Sequence, residues 1–113
     1  MKRRYGRYGY GEEERFEVGS IDLERIDKLL TSEEKRVLKQ IYRFQKPRRF
    51  RFGLNIHYLD ARDPEKVVEK LKSLGLIFTI APYRDKQRYV YAFLTKLGRT
   101  YVEERLLSEK NVT

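Results

Sequence analysis

The sequence predicts an α+β domain in which helices precede and follow a small antiparallel hairpin. Apolar residues recur at helical spacing in several segments, whereas residues 77–83 and 88–94 form two strand-like runs. A polar tip at 84–87 separates these runs, as expected for a hairpin. At 113 residues the chain is long enough for one modest core and too short for two domains.

The basic balance of the chain indicates a polyanionic partner. The formal net charge is +9 and the sequence pI is about 9.8. Basic residues cluster at 1–11, at 35–59 and at the hairpin tip, and the first two clusters contain no acidic residue. This clustering favours a binding surface over a merely solvated face.

The residue types needed for catalysis are scarce. The chain has no cysteine and a single histidine, His57, so a thiolate site, a catalytic triad and a histidine-rich metal site are excluded. Asp60, Asp63 and Glu65 could suggest a magnesium site, but Asp63 is better explained as a helix cap. We therefore expect no enzyme activity, no metal, no cofactor and no small-molecule ligand.

Membrane insertion and secretion are not expected. No apolar run approaches the roughly 20 residues that span a bilayer. In a secretion signal, an apolar segment follows the basic residues. No such segment follows the basic residues at the start of this chain. We expect a cytoplasmic protein without a membrane partner.

Residues 1–19 are predicted to be a flexible basic arm followed by an acidic linker. The first 11 residues combine Arg, Tyr and Gly, which cannot pack into a core but can follow phosphates and stack on bases. An inert tail is the alternative. Residues 20–107 then form the folded domain, and residues 108–113 a frayed tail.

Two helices are predicted to open the domain. Ser20 caps the first, which runs to Leu30. Thr31 and Glu34 form a capping-box pattern for the second, which ends near residue 45 because Pro47 cannot continue it. The inward-facing residues are Ile21, Leu23, Ile26 and Leu30 on the first helix, and Val37, Leu38, Ile41, Tyr42 and Phe44 on the second.

Residues 48–59 alternate apolar and polar side chains, which is strand periodicity. We divide this segment into a strand at 49–52 and a short helix at 54–60. A single continuous strand is the alternative, and it would leave no helix-turn-helix.

The second half contains a helix, the hairpin and a final helix. Asp63 caps the helix 63–74, Pro64 occupies its first turn, and Gly75 suits its left-handed end. Thr95 caps the last helix, which ends near Leu107. One side of the hairpin carries Leu76, Phe78 and Ile80 from its first strand and Tyr89, Tyr91 and Phe93 from its second.

These elements together resemble a winged helix-turn-helix domain. The resemblance rests on Gly-Leu-Ile at 75–77 after a helix and on Phe-Leu-Thr-Lys-Leu-Gly at 93–98 after a hairpin. The resemblance covers about residues 31–107, and this part of the chain is similar to small archaeal and prokaryotic transcription regulators. The implied fold is a winged helix-turn-helix with extra N-terminal and C-terminal helices. In that family the second helix of the turn enters the major groove of DNA, and the hairpin, called the wing, contacts the flanking backbone.

The resemblance implies a site for double-stranded DNA. Helix 63–74 would read bases through Arg62, Glu65, Lys66, Glu69 and Lys70. The wing would contact the backbone through Arg84, Lys86 and Arg88. The basic clusters add further backbone candidates, namely Arg3, Arg4, Arg7, Lys46, Arg48, Arg49 and Arg51. Residues 60–72 hold equal numbers of acids and bases, so most affinity must come from outside this helix, or the helix meets a protein.

A sequence-specific DNA-binding transcription regulator is the favoured function. The alternatives are a binder of RNA or single strands that uses the arm, and a winged-helix module for protein interaction. A homodimer is expected, because two reading helices one DNA turn apart need twofold symmetry. Alternatively, the two terminal helices cover each other within one chain. The expected dimer interface consists of Ile21, Leu23, Ile26, Leu30, Leu97, Tyr101 and Leu106.

Overall fold

The computed structural model describes residues 20–84 and 88–107, in which four helices accompany a three-stranded sheet. The helices are α1 (Ser20–Leu29), α2 (Ser32–Gln45), α3 (Pro64–Ser73) and α4 (Lys96–Tyr101). The strands are β1 (Leu54–Asn55), β2 (Ile77–Ile80) and β3 (Tyr91–Leu94). Single 3₁₀ turns, Lys46–Arg48 and Ile56–Tyr58, follow α2 and β1, and a π-helical turn, Val102–Leu106, extends α4.

Helix α2 begins and ends where the sequence predicts. The Thr31 hydroxyl accepts from the Glu34 amide at 3.2 Å, and the Glu34 carboxylate accepts from the Thr31 amide at 2.8 Å, which confirms the capping box. At the other end, Pro47 lies in a 3₁₀ turn instead of continuing the α-helix. The last helical residue, Gln45, is fully buried, and its side-chain oxygen accepts from the Leu94 amide at 2.9 Å. This bond joins α2 to the sheet.

A polar cluster joins α1, α2 and the α4 extension. Asp27 accepts a hydrogen bond from the Tyr101 hydroxyl at 2.7 Å and pairs with Lys35 Nζ at 3.2 Å. Arg105 approaches the second carboxylate oxygen of Asp27 at 3.9 Å. Burial raises the pKa of Asp27, but these three partners together lower it more, so the pKa lies below the ordinary 3.8.

The apolar faces of α1 and α4 are buried in the core of their own chain. This core also includes residues of α2, α3 and the sheet. Side chains enclosed in this way have almost no surface left for a second copy, so the structure corrects their assignment to a dimer interface. Leu97 is half-buried against the same core, and the Ile21 side chain lies outside the described residues. The buried members of the expected interface are Leu23, Ile26, Leu30, Tyr101 and Leu106.

The segment between α2 and α3 contains a strand and then a helical turn, but at other positions than expected. Arg49 and Phe50 have φ angles of 54° and 60°, and the Phe50 amide donates to the Gln45 carbonyl at 2.9 Å. This left-handed turn excludes a strand at 49–52. The strand is instead the two residues of β1, and the helix expected at 54–60 is reduced to the 3₁₀ turn Ile56–Tyr58.

Local signals fix both ends of α3. Asp63 Oδ1 accepts from the Lys66 amide at 3.3 Å, and Pro64 occupies the first turn. Gly75 has a φ of 76°, and the amides of Gly75 and Leu76 donate to the carbonyls of Lys72 and Leu71 in a Schellman arrangement. The chain then turns directly into β2.

The sheet has the strand order β1-β3-β2, and both pairings are antiparallel. Phe78 lies opposite Phe93 and Ile80 opposite Tyr91, so these four side chains share one face, as the hairpin pattern predicts. Leu76 does not share that face, because it precedes the strand and is buried in the core. The opposite face, which includes Ile77 and Ala92, also packs into the core. None of the helices in the described ranges combines the length and the hydrophobicity that a membrane span requires.

Candidate nucleic-acid interface

Helix α3 presents a charged face outward. Val67, Val68 and Leu71 anchor its inner side in the core. Glu65, Lys66 and Glu69 are exposed on the other side, and Arg62 is exposed in the segment just before the helix. Four of the five predicted base-reading residues are therefore exposed on α3 or just before it, and we call this exposed surface the outward region.

Lys70, the fifth, has a different environment. Its ammonium group donates to the Leu29 carbonyl at 2.7 Å and pairs with Glu34 Oε1 at 3.0 Å. Burial raises the pKa of Glu34, but the Thr31 amide and Lys70 outweigh burial, so the pKa lies below the ordinary 4.5. Lys70 thus links α3 to α1 and α2, and its ammonium group is already occupied by these partners.

Lys72 belongs to the outward region, although the sequence reasoning omitted it. It is exposed and lies 3.9 Å from Glu69. Helical spacing could have identified it, because residues three apart are neighbours on a helix surface. The outward region consists of three cations and two carboxylates, namely Arg62, Lys66, Lys72, Glu65 and Glu69. Its small excess of positive charge agrees with the nearly neutral helix found in the sequence.

The hairpin is attached to the rest of the sheet near its tip. The Asn55 side-chain amide donates to the Arg88 carbonyl at 3.2 Å, and the Ile56 amide donates to the Val90 carbonyl at 2.9 Å. Arg84 and Arg88 are both exposed. The third predicted wing contact, Lys86, lies outside the described residues.

A second group of exposed cations lies in the turn after α2, residues 46–51, which we call the basic turn. Its four predicted backbone contacts, Lys46, Arg48, Arg49 and Arg51, are all exposed. The Arg48 guanidinium donates to the Phe44 carbonyl at 2.6 Å and lies 4.1 Å from the centre of the Phe44 ring, which fixes its position. The predicted contacts Arg3, Arg4 and Arg7 lie outside the described residues.

Two of the three carboxylates considered for a magnesium site have other partners. Asp60 accepts from Arg36 Nε at 2.9 Å, and Asp63 caps α3. Among the described residues, no three His, Cys, Asp or Glu side chains are grouped closely enough to hold a metal ion. Asp60 and Asp63 therefore have structural roles in the segment that connects α2 to α3.

Comparison with known proteins supports the fold. No family model and no curated protein matches the chain. A solved structure of a mutant of S. aureus MepR is similar, with a TM-score of 0.58 and 20% sequence identity. The match covers 95% of this chain and 75% of the MepR chain. Together with the order of elements and the β1-β3-β2 sheet, this likeness shows a winged-helix fold.

Proposed function

We propose that the protein is a sequence-specific binder of double-stranded DNA that acts as a transcription regulator in the cytoplasm. Helix α3 would enter the major groove, and the 77–94 hairpin would act as the wing. The observation that carries this proposal is the outward region of α3, whose inner side is fixed in the core of a winged-helix fold. The net charge of +9 supports a polyanionic partner.

The side chains of the outward region suit direct readout of bases. The major groove admits an α-helix, and lysine or arginine there donates to guanine O6 and N7. Lys66 and Arg62 can make such contacts, while Glu65 or Glu69 can accept from the cytosine amino group. Because these residues include both donors and acceptors, they can distinguish base pairs instead of only holding phosphates.

Affinity would come mainly from cations outside α3. Arg84 and Arg88 on the wing and the exposed cations of the basic turn can neutralise phosphates without reading the sequence. Each neutralised phosphate contributes about −0.9 to the slope of log affinity against log salt concentration. This division explains how a nearly neutral reading helix could belong to a strongly basic protein.

Titration of labelled duplex DNA over a range of salt concentrations tests this division. Arg84→Ala and Arg88→Ala should weaken binding to all duplexes about equally and reduce the salt slope by about one per lost phosphate contact. Lys66→Ala should change the preference among sequences, by about 1–3 kcal/mol for a lost base contact. Binding that does not depend on salt, or wing and helix variants that behave alike, would contradict the proposal.

We also propose that the protein binds DNA as a homodimer. Twofold symmetry would place two copies of α3 about one DNA turn apart. One chain presents a single outward helical face of the reading type, so two such faces require two chains. The core residues of α1 and α4 would not form the contact. Sedimentation of the full chain, alone and with duplex, tests this: a monomer in both states would contradict it.

A further inference from the structure

The outer face of the sheet carries apolar side chains where a solvated antiparallel sheet ordinarily carries polar ones. Phe78 and Ile80 on β2 are 44% and 45% exposed. Tyr91 and Phe93 lie opposite them on β3 and are half-buried. Phe52, just before β1, is 62% exposed. We call these five residues the aromatic platform.

Two rings of the platform are held in a defined arrangement. Phe78 and Phe93 stack with ring centres 5.0 Å apart and planes 9° from parallel. The Phe93 ring in turn lies against Gly53, where an added Cβ would come within 2.6 Å of ring carbon Cε1. Glycine at position 53 therefore allows Phe93 to lie across the start of β1, and Phe78 stacks upon it.

A groove beside these rings combines apolar walls with positive charge. Its volume is about 320 Å³, which is within the roughly 300–1,000 Å³ of sites that hold small organic groups. Among the described residues that line it, the charged one is Arg51, and exposed Arg84 follows two residues after the lining residue Pro82. The lining residues are Arg51, Phe52, Gly53, Ile80, Pro82, Tyr91 and Phe93.

We propose that the aromatic platform binds unpaired bases of single-stranded DNA. Bases have flat apolar faces and are each linked to a phosphate, so they complement exposed rings beside arginines. Bases would stack on Phe52 and Phe78, while Arg51 and Arg84 would neutralise the adjoining phosphates. A second copy fits this face less well, because it would bring one basic rim against another.

This site is separate from the outward region of α3. The choice of DNA over RNA rests on the function proposed above, whereas stacking on the platform does not depend on it. The two proposals can therefore fail independently. The platform shares Arg51 and Arg84 with the proposed duplex contacts, so substitutions of its aromatic residues, which leave both arginines in place, separate the two sites.

Fluorescence anisotropy with a labelled oligothymidylate of about 12 nucleotides tests the platform directly. Phe52→Ala and Phe78→Ala should each weaken binding at least about fivefold, the smallest loss expected when a stacked base loses its ring. Phe52→Trp should retain the affinity, and its indole fluorescence should be quenched by oligothymidylate but not by heparin, which has no bases. Tyr58→Ala is the matched control, because Tyr58 is 73% exposed but belongs neither to the aromatic platform nor to the groove.

Thermal unfolding of each variant establishes that it is folded before its affinity is compared. Wild-type affinity for oligothymidylate in both Phe→Ala variants would overturn the proposal. It would be overturned equally if these two variants changed the sedimentation coefficient of the protein but not this affinity. Tighter binding of oligouridylate than of oligothymidylate would overturn the choice of DNA. If no duplex sequence is preferred while the platform variants lose single-strand binding, the duplex proposal fails and the platform stands.

Discussion

Lys70 lies on the helix proposed to read DNA, yet its ammonium group is bound within the fold. It contacts the Leu29 carbonyl and the Glu34 carboxylate, and Glu34 also accepts from the Thr31 amide. One side chain therefore holds α3 against α1 and α2. Sequence alone could not separate Lys70 from Lys66, because both are cations on a short amphipathic helix and their partners are distant along the chain.

Lys70→Ala should destabilise the fold, whereas Lys66→Ala should not. Loss of the ammonium leaves the buried Glu34 carboxylate without one of its partners. We expect the free energy of unfolding to fall by about 1–2 kcal/mol, discounted because Lys70 is itself partly exposed. Urea denaturation of the two variants measures this difference. Equal stability would show that the contact with Glu34 and Leu29 contributes nothing.

At the scale of elements, the two sequence motifs behind the winged-helix resemblance contact each other. The Thr95 amide donates to the Leu76 carbonyl at 3.0 Å, and the Thr95 hydroxyl donates to the Gly75 carbonyl at 2.6 Å. A Cβ added at Gly98 would overlap the Leu76 carbonyl oxygen. The start of α4 therefore packs directly on the turn between α3 and β2, and position 98 has no room for a side chain.

Gly98→Ala should separate these two elements and cost about 2–3 kcal/mol of stability, as overpacking against an immobile backbone does. Gly75→Ala is a useful comparison, because no atom lies within 4 Å of its added Cβ and the cost there comes only from the φ of 76°. Thermal unfolding should rank Gly98→Ala as the more damaging change. The reverse order would contradict the packing described here.

Elements governed by neighbouring residues were predictable from sequence, and those governed by distant contacts were not. The capping box at Thr31, the cap at Asp63 and the turn at Gly75 are all present as predicted. The strand at 49–52 was wrong, because two non-glycine residues adopt left-handed backbone angles that propensity does not anticipate. The sequence also could not show which face of the sheet is exposed to solvent, since both faces of the sheet carry apolar residues.

At the scale of the whole molecule, carboxylates with lowered pKa values connect the helices. Asp27 joins α1, α2 and the α4 extension, and Glu34 joins α2 and α3. Because the folded pKa values lie below the ordinary 3.8 and 4.5, the stability they provide is fully present above those values. It is lost as the pH falls through the lower values of the folded state.

Asp27→Asn should therefore reduce stability at neutral pH, by about 1–2 kcal/mol, and make its decline in acid shallower. Asp22→Asn is the matched control on α1, since Asp22 is exposed. Denaturation curves between neutral pH and about pH 2 compare the two variants with the wild type. Parallel acid profiles for Asp27→Asn and the wild type would show that this cluster does not couple folding to protonation.

The distribution of charge over the whole chain supports the proposal that α3 reads duplex sequence while other cations supply affinity. Selection of bound fragments from random double-stranded DNA tests this claim. We predict that a defined sequence is enriched with the wild-type protein, and that Lys66→Ala enriches a different or less defined one. Arg84→Ala should retain the wild-type sequence with weaker overall binding. Failure of the wild-type protein to enrich any sequence would contradict the claim.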